Sequence, residues 1–183
     1  MAYIGVRKPY IAAFDTAHTG KYLAASFVGK ATSFEETANT SESTLYADDG
    51  LAESERGVTS YGLSLGTSDI PEEMQEVMFG HNVTTHLITT NQDDASPYVG
   101  FAVIGVKQVD GVKKYEARVY PKTQWSEPGA NFTTRGESTE FQSQTLTGVA
   151  MPDASGNLRY MEDFETETAA ATFIASKLPV QSG

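Results

Sequence analysis

Residues 45–80, LYADDGLAESERGVTSYGLSLGTSDIPEEMQEVMFG, contain the patterns of three consecutive structural elements. The first, residues 45–56, is acidic and polar, which is typical of an exposed loop. Residues 57–67 alternate between larger and small or polar side chains, the period of a strand with one buried face. Residues 68–79 place apolar side chains at helical spacing, and Gly80 favours a helix end. The stretch predicts an acidic loop, a half-buried strand and a helix that covers it.

The rest of the chain adds more strands and a second helix. Residues 97–120 form the clearest hairpin pattern, because the Asp-Gly pair at 110–111 is a strong turn signal between two alternating runs. Residues 31–37 and 139–150 also alternate, and residues from about 166 to 177 have helical spacing. We therefore expect a mainly β fold, a two-sheet sandwich or barrel with one flanking helix and a C-terminal helix.

The bulk composition limits the class of protein. The chain has 183 residues, a net charge of −11 and no cysteine. This length is typical of one domain, so we expect a single domain over residues 1–183 without disulfides. The acidic balance disfavours tight nucleic-acid binding, since phosphate contacts need Lys and Arg. No apolar run is long enough to span a membrane, and no signal-peptide pattern occurs, which predicts a protein made in the cytoplasm without a membrane partner.

A long polar segment runs from residue 38 to residue 56. Its large apolar side chains are Leu45, Tyr46 and Leu51. A connection of this length between strands is unusual in a compact domain and is often functional. The sequence therefore predicts a long loop at about 38–56.

Side chains that could carry chemistry are few and poorly spaced. His81 and His86 are not at a same-face spacing of a helix or strand, and no third ligand is evident. The acidic doublets at 48–49 and 93–94 lack the spacing of a calcium-binding loop. No phosphate-binding glycine loop, nucleophile elbow or triad spacing occurs. We therefore expect no catalytic residue, no metal and no cofactor.

Three of the predicted strands have a small or polar face without Lys or Arg. These positions are Ser33, Glu35 and Thr37 on the first, Ser60, Gly62 and Ser64 on the second, and Glu140, Gln142 and Gln144 on the third. Such a sheet face is wet and neutral to acidic. If copies of the chain paired their edges in a ring, these faces would line a channel, and closure would remove exposed strand edges.

Four stretches of the chain, in their order and spacing, together resemble one known family. They are LYADDGLAES (45–54), LSLGTSDIPEEMQEVMFGH (63–81), SPYVGFAVIGVKQVDGVKKYEARVYPKTQWSEP (96–128) and TRGESTEFQSQTLTGVAMPDASGN (134–157). The family is the major tail protein of long-tailed bacteriophages, the subunit of the tail tube. The resemblance covers most of the chain, and residues 82–95 and the loop near His18 match it least.

This resemblance implies a two-sheet β fold, hexameric rings that stack into a tube, and double-stranded DNA that passes through without specific binding. It also implies tape measure, tail terminator and distal tail proteins as partners, and a location in the virion after assembly in the host cytoplasm. The lumen-facing residues are then expected to be Ser33, Glu35, Ser60, Ser64, Glu140, Gln142 and Gln144. The segment at 38–56 stands where the family has a reaching loop, so the expected inter-subunit contacts are Leu45, Tyr46, Asp48, Asp49 and Leu51.

Two other functions stay open from the residues. A ligand- or carbohydrate-binding β-sandwich module would account for the acidic loops and the aromatic side chains, although aromatic residues at strand spacing more often form a core. The residues concerned are Tyr98, Phe101, Tyr115, Tyr120 and Trp125. A hydrolase that uses Asp48, Asp49 and a histidine is the third alternative, and the missing motifs disfavour it. Rings or tubes in microscopy would favour the tail tube, and a strict monomer with glycan affinity would favour the module.

Overall fold

The computed structural model describes residues 2–17, 20–23, 25–47, 50–130 and 143–178, with side chains described outside 43–55. The strands are β1 (Ala2–Ala13), β2 (Ser26–Phe27), β3 (Ala31–Ala47), β4 (Gly50–Thr67), β5 (Asn82–Thr84), β6 (Leu87–Thr89), β7 (Val99–Val109), β8 (Val112–Ser126), β9 (Gln144–Met151) and β10 (Tyr160–Phe164). The helices are α1 (Glu72–Phe79) and α2 (Glu167–Lys177). The prediction of a mainly β fold with a flanking helix and a C-terminal helix is confirmed.

The main sheet is antiparallel and 8-stranded, with the order β2-β1-β7-β8-β9-β4-β3 and β10 added on β8. Strand β8 pairs with β7 along one edge, whereas its other edge pairs with β10 at residues 115–119 and with β9 at residues 122–126. The sheet curls so that β1 comes into contact with β3, although the two strands lie far apart in the sheet order. A separate 2-stranded sheet, β5-β6, completes the β structure of the described residues.

Strand β7 lies between two hydrophobic cores, as its apolar pattern on both faces predicts. Val99, Phe101 and Val103 face the core beneath α1, while Ala102 and Ile104 face the core beneath α2. Helix α1 contributes Met74 and Met78 to the first core, and α2 contributes Ala170 and Ile174 to the second. Burial on both faces makes this hairpin the centre of the fold.

The helix ends follow local chemistry, with one correction. Helix α1 begins at Glu72 rather than at residue 68, because its N-cap is Pro71 in an extended conformation (ψ 147°) and no side chain caps it. Gly80 ends α1 in the left-handed conformation (φ 76°), as predicted. Helix α2 begins after Thr166, whose side chain accepts a hydrogen bond from the Ala169 N–H, in agreement with the predicted helix.

The predicted long loop at 38–56 is wrong, because the described part of this segment is a continuation of β3 and β4. The two strands are paired from Ala31 opposite Thr67 to Ala47 opposite Gly50, with three register shifts along the way. Ser, Thr and Glu dominate the segment and indicated a loop, yet cross-strand hydrogen bonding of the backbone does not depend on side-chain polarity. Of the strand predicted at 139–150, residues 139–142 lie outside the described residues, and β9 covers the remainder.

The hairpin β5-β6 had no strong sequence signal. Its turn residues Thr85 and His86 both have positive φ angles, 43° and 67°, as in a type I′ turn, but neither is Gly, Asn or Asp. The two described helices are too short to cross a membrane.

Candidate functional site

A two-stranded arm extends from the body of the protein. We define the arm as residues 38–47 of β3 and 50–61 of β4. Strand β9 pairs with β4 only as far as Tyr61, which is itself paired with Ala38, so the arm has no third strand among the described residues. At the usual rise per residue, the arm is about 30 Å long. Arg56 and Glu42 form a cross-strand ion pair at 2.6 Å on it.

The expected inter-subunit contacts belong to this arm. Leu45, Tyr46 and Leu51 lie in its paired strands near the far end, with Tyr46 opposite Leu51, and their side chains are outside those described. Asp48 and Asp49 lie outside the described residues. A two-stranded hairpin without further packing is only marginally stable in water.

The outer side of the β3-β4-β9 part of the sheet carries small and polar residues. We call it the polar face. Its described members are Ser33, Glu35, Thr37, Asn39, Ser60, Gly62, Ser64, Gly66, Thr145, Thr147 and Val149. The alternate residues, such as Leu63 and Leu65, are buried in the core. Glu35 is the only charged residue among these described positions, so the polar face is neutral to acidic.

The structure brings four of the expected lumen residues onto the polar face and separates a fifth from them. Ser33, Glu35, Ser60 and Ser64 share this face. Gln144 does not, because it pairs with Thr67 and so shares the parity of the core-facing residues of β9. Its grouping with the other lumen residues is therefore corrected. The grouping was wrong because a sequence pattern alone does not determine which face of one strand lies beside which face of the next strand. Glu140 and Gln142 lie outside the described residues.

A network of charged side chains crosses the interior between β3 and β8. Arg118 Nη1 lies 3.2 Å from Glu36 Oε2, and Arg159 also donates a hydrogen bond to Glu36. Tyr120 donates its hydroxyl proton to the same carboxylate. Burial, together with this hydrogen bond to Glu36, raises the pKa of Tyr120. The network joins strands that are not neighbours in the sheet, so it holds the curled sheet closed.

The network continues to a buried ion pair between β7 and β8. Glu116 is 4% exposed and Lys107 3% exposed. Lys107 Nζ lies 3.0 Å from Glu116 Oε2. Burial raises the pKa of Glu116, but hydrogen bonds from Arg118, Lys107 and Tyr3 outweigh it and leave that pKa below its usual value. The only sequence signal for this contact was the presence of Lys107 and Glu116 in the most apolar hairpin. Their burial against each other is visible only in the tertiary structure.

The histidines take separate structural roles. His81 is buried, and its Nδ1 lies 3.1 Å from Asp94 Oδ2. The Asp94 carboxylate also accepts the Asn91 backbone N–H, and these two hydrogen bonds lower its pKa. His86 is exposed and contacts Glu72 at 3.0 Å. Within the described ranges, no group of three or more His, Asp or Glu side chains is placed to hold a metal ion.

Most of the aromatic residues considered as a binding platform are in the core. Phe101, Tyr120 and Trp125 are fully buried and pack together, with ring centroids of Phe101 and Trp125 4.9 Å apart. Tyr115 packs against the second core. Tyr98 is 45% exposed and lines a surface groove.

This groove, which we call the lysine groove, has a volume of about 660 Å³. Its wall contains Phe14, Asp15, Tyr22, Tyr98, Pro121, Lys122, Asp153, Tyr160, Ser176 and Lys177. Tyr22 donates its hydroxyl proton to the Pro121 carbonyl at 2.8 Å, and burial, followed by the charge of Asp153, raises the pKa of Tyr22 to about 12. The groove therefore has an ordered aromatic floor with charged residues around it.

Comparisons with known proteins do not identify the chain: no model of a known protein family matches it, and no curated protein matches it. Its function has to be inferred from the arm, the polar face and the lysine groove.

Proposed function

We propose that this protein is the structural subunit of a bacteriophage tail tube, in which hexameric rings stack into a conduit for DNA. The hexamer, the stacking, and the tape measure, tail terminator and distal tail proteins as partners come from the resemblance to the family. In this proposal the protein acts in the virion and assembles in the host cytoplasm. It is not an enzyme and binds neither cofactor nor metal.

The arm is the observation that carries the proposal. It is paired along its described length, yet from its base at Tyr61 to its far end it pairs with no other described strand. A monomeric protein would gain little from such a ribbon, because an isolated hairpin buries too little apolar surface to offset its conformational entropy. Contact with another subunit supplies the missing burial, so the arm supports a function in self-assembly.

The polar face supports the choice of a conduit over other assemblies. DNA binds proteins mainly through Lys and Arg at its phosphates, and the described positions of the polar face contain neither. A bore lined by Ser, Thr, Gly and Glu35 would repel phosphate weakly and offer no fixed binding site. DNA could then slide through without sequence-specific contacts.

The free edge of β3 is consistent with pairing between subunits. Strand β3 ends the sheet order, so its outer edge has no strand partner among the described residues. The strand contains neither Lys nor Pro, the residues that monomeric proteins commonly place on exposed edges to prevent association. Closing a ring would cover this edge.

Electron microscopy of the concentrated protein tests the proposal. We expect rings or tubes with a hollow axis, and in a reconstruction Glu35 and Ser64 should face the hollow. A matched variant without the arm should give no rings. Particles without a hollow, or a reconstruction with Glu35 on the outer wall, would contradict the proposal.

The lysine groove favours one alternative, a ligand-binding β-sandwich module. Its aromatic wall could bind an organic ligand, and this would need no assembly. Calorimetric titration with a panel of glycans, together with sedimentation at high concentration, separates the two functions. A monomer that binds a glycan would favour the module.

A further inference from the structure

The lysine groove carries two ammonium groups that lie over aromatic rings. Lys122 Nζ lies 4.3 Å from the centroid of the Tyr98 ring, and Lys177 Nζ lies 4.7 Å from the centroid of the Tyr160 ring. Within the described part of the chain, neither ammonium forms an ion pair with a carboxylate.

Two local features of the backbone build the groove. The β7-β8 register shifts between Val99 and Phe101, which is a bulge that turns Lys122 away from the core. A Cβ at Gly100 would lie 2.7 Å from both Leu178 and Tyr22, so only glycine lets those side chains approach the sheet this closely. Lys122 is thus positioned by β8 of the sheet, and Lys177 by the last turn of α2.

The carboxylates at the groove are already engaged. Asp153 accepts hydrogen bonds from the backbone N–H groups of Ser155 and Asn157, both at 2.8 Å. Asp15 accepts the Ala17 N–H at 2.9 Å and makes further interactions. These hydrogen bonds hold the two carboxylates against the backbone of the turns in which they lie. The two ammonium groups of the groove can therefore attract an anion from outside.

An acidic ligand fits this arrangement better than a neutral sugar. Sugars bind proteins by stacking on open aromatic faces, whereas the faces of Tyr98 and Tyr160 are covered by lysine side chains. A ligand with carboxylates and a few apolar side chains could pair with both ammonium groups and contact the aromatic floor.

We infer that the lysine groove binds the end of the arm of a second copy of this chain. This inference rests on the proposed function, because it names the contact through which subunits join. Residues 45–55, LYADDGLAESE, have four carboxylates, no basic residue and three large apolar side chains. The end of the arm therefore has carboxylates that could pair with the two ammonium groups and apolar side chains that could contact the aromatic floor.

The arm of the same molecule does not reach its own groove. Lys122 pairs with Met151, and the adjacent Ala150 pairs with Tyr61 at the base of the arm. The groove is thus about two strand spacings, or about 10 Å, from the base, whereas the end of the arm is about 30 Å away. A paired ribbon does not fold back on itself within its own length, so the contact must join different copies.

Charge reversal with rescue tests the contact. We expect the arm variant Asp48→Lys/Asp49→Lys, and separately the groove variant Lys122→Glu/Lys177→Glu, to raise the protein concentration needed for ring or tube formation by about tenfold or more. A chain with all four substitutions should assemble at close to the wild-type concentration. The matched control Lys30→Glu/Lys113→Glu changes the charge equally at exposed lysines outside the groove and should assemble like the wild type.

Cross-linking provides a second readout, since the chain has no cysteine. A mixture of Asp49→Cys and Ser176→Cys proteins should form a disulfide-linked dimer under oxidising conditions, whereas Asp49→Cys with Lys113→Cys should not. If the wild type forms tubes but the Asp49–Ser176 link and the charge effect are both missing, the groove contact is wrong and the proposed function stands. If the wild type forms neither rings nor tubes, both are wrong.

Discussion

Glu35 on β3 is paired with Ser64 on β4, and Ser64 is paired in turn with Thr147 on β9. The three side chains stand next to one another across the polar face, at a strand spacing of about 4.8 Å. One carboxylate at the end of this row, beside two hydroxyl groups, gives this part of the face a weak negative potential.

Lysines at these positions should reverse the ion selectivity of the assembled tube. We expect Glu35→Lys/Thr147→Lys to form tubes that prefer anions, whereas wild-type tubes prefer cations, because the sign of the wall charge selects the counter-ion. The measurement is the reversal potential of single tubes seated in a nanopore. The control Glu165→Lys/Ala175→Lys adds the same charge on exposed positions near α2 and should leave the selectivity unchanged. Equal effects of the two variants would contradict a bore lined by the polar face.

Removal of the arm should separate assembly from folding. We expect replacement of residues 40–59 by Asn-Gly to join Asn39 to Ser60, which are already paired, through a two-residue turn. The body should then unfold within about 4 °C of the wild type, because the deleted residues pair with no described strand of the body. Calorimetry measures the unfolding and microscopy measures the loss of rings. Collapse of the body would show that the arm stabilises the monomer.

Loss of the buried carboxylate at Glu116 should strongly destabilise the protein. Glu116→Gln removes the carboxylate that Lys107 and Arg118 share, although Asp163 and Glu36 remain as their other partners. Loss of these charged hydrogen bonds should cost about 1.5–3 kcal/mol. Urea denaturation gives the free energy of unfolding. Glu162→Gln, at an exposed position of β10, should change it by less than about 0.5 kcal/mol.

Protonation of Glu116 should lower the free energy of unfolding in acid. The pKa of Glu116 is lower in the folded protein than in the unfolded chain, where it is about 4.3. The folded state thus binds fewer protons, so this contribution is complete above about pH 5 and is lost as the pH falls through the folded pKa. The free energy of unfolding between pH 6 and pH 2 should decline less steeply in Glu116→Gln. Parallel curves for the two proteins would contradict this assignment.

A methyl group at Gly148 should perturb the only tryptophan. A Cβ there would lie 2.7 Å from Trp125 Cδ2 and 3.0 Å from the Gln124 carbonyl oxygen, so Gly148→Ala should overpack the core at a cost of about 1–3 kcal/mol. Denaturation followed by tryptophan fluorescence measures both the stability and the ring environment. Gly57→Ala has no atom within 4 Å of its Cβ and serves as the control. Equal stability of the two variants would show that the Trp125 ring moves aside.

The segment at 38–56 shows why part of the fold was missed. Its Ser, Thr and Glu residues predict a loop locally, yet the chain on both sides of residues 48–49 is strand. Backbone hydrogen bonds pair these two strands, and their register continues from the body, where Leu65 lies opposite Phe34 in the core. The amino-acid composition of the segment does not show that this pairing continues into it.

The same limit applies to the candidate sites. The face shared by Ser60 and Ser64 follows from the period of one strand, so it could be predicted. The opposite placement of Gln144 depends on how β9 pairs with β4, which one strand does not specify. The lysine groove combines residues from loops, β8, β10 and α2. These elements are far apart in the sequence, so no local pattern indicated the groove.

The sequence by itself determined the elements that depend on near neighbours: the hairpin turned at Asp110-Gly111, the helix ended by Gly80, the cysteine-free core and the acidic balance. Tertiary structure decided which strands meet, that Glu36 would bind Arg118 from 82 positions away, and where the groove opens. The physical reason is the separation along the sequence over which each interaction acts. Turn and helix preferences act over a few residues, whereas register and ion pairs between distant strands form only when the whole sheet closes.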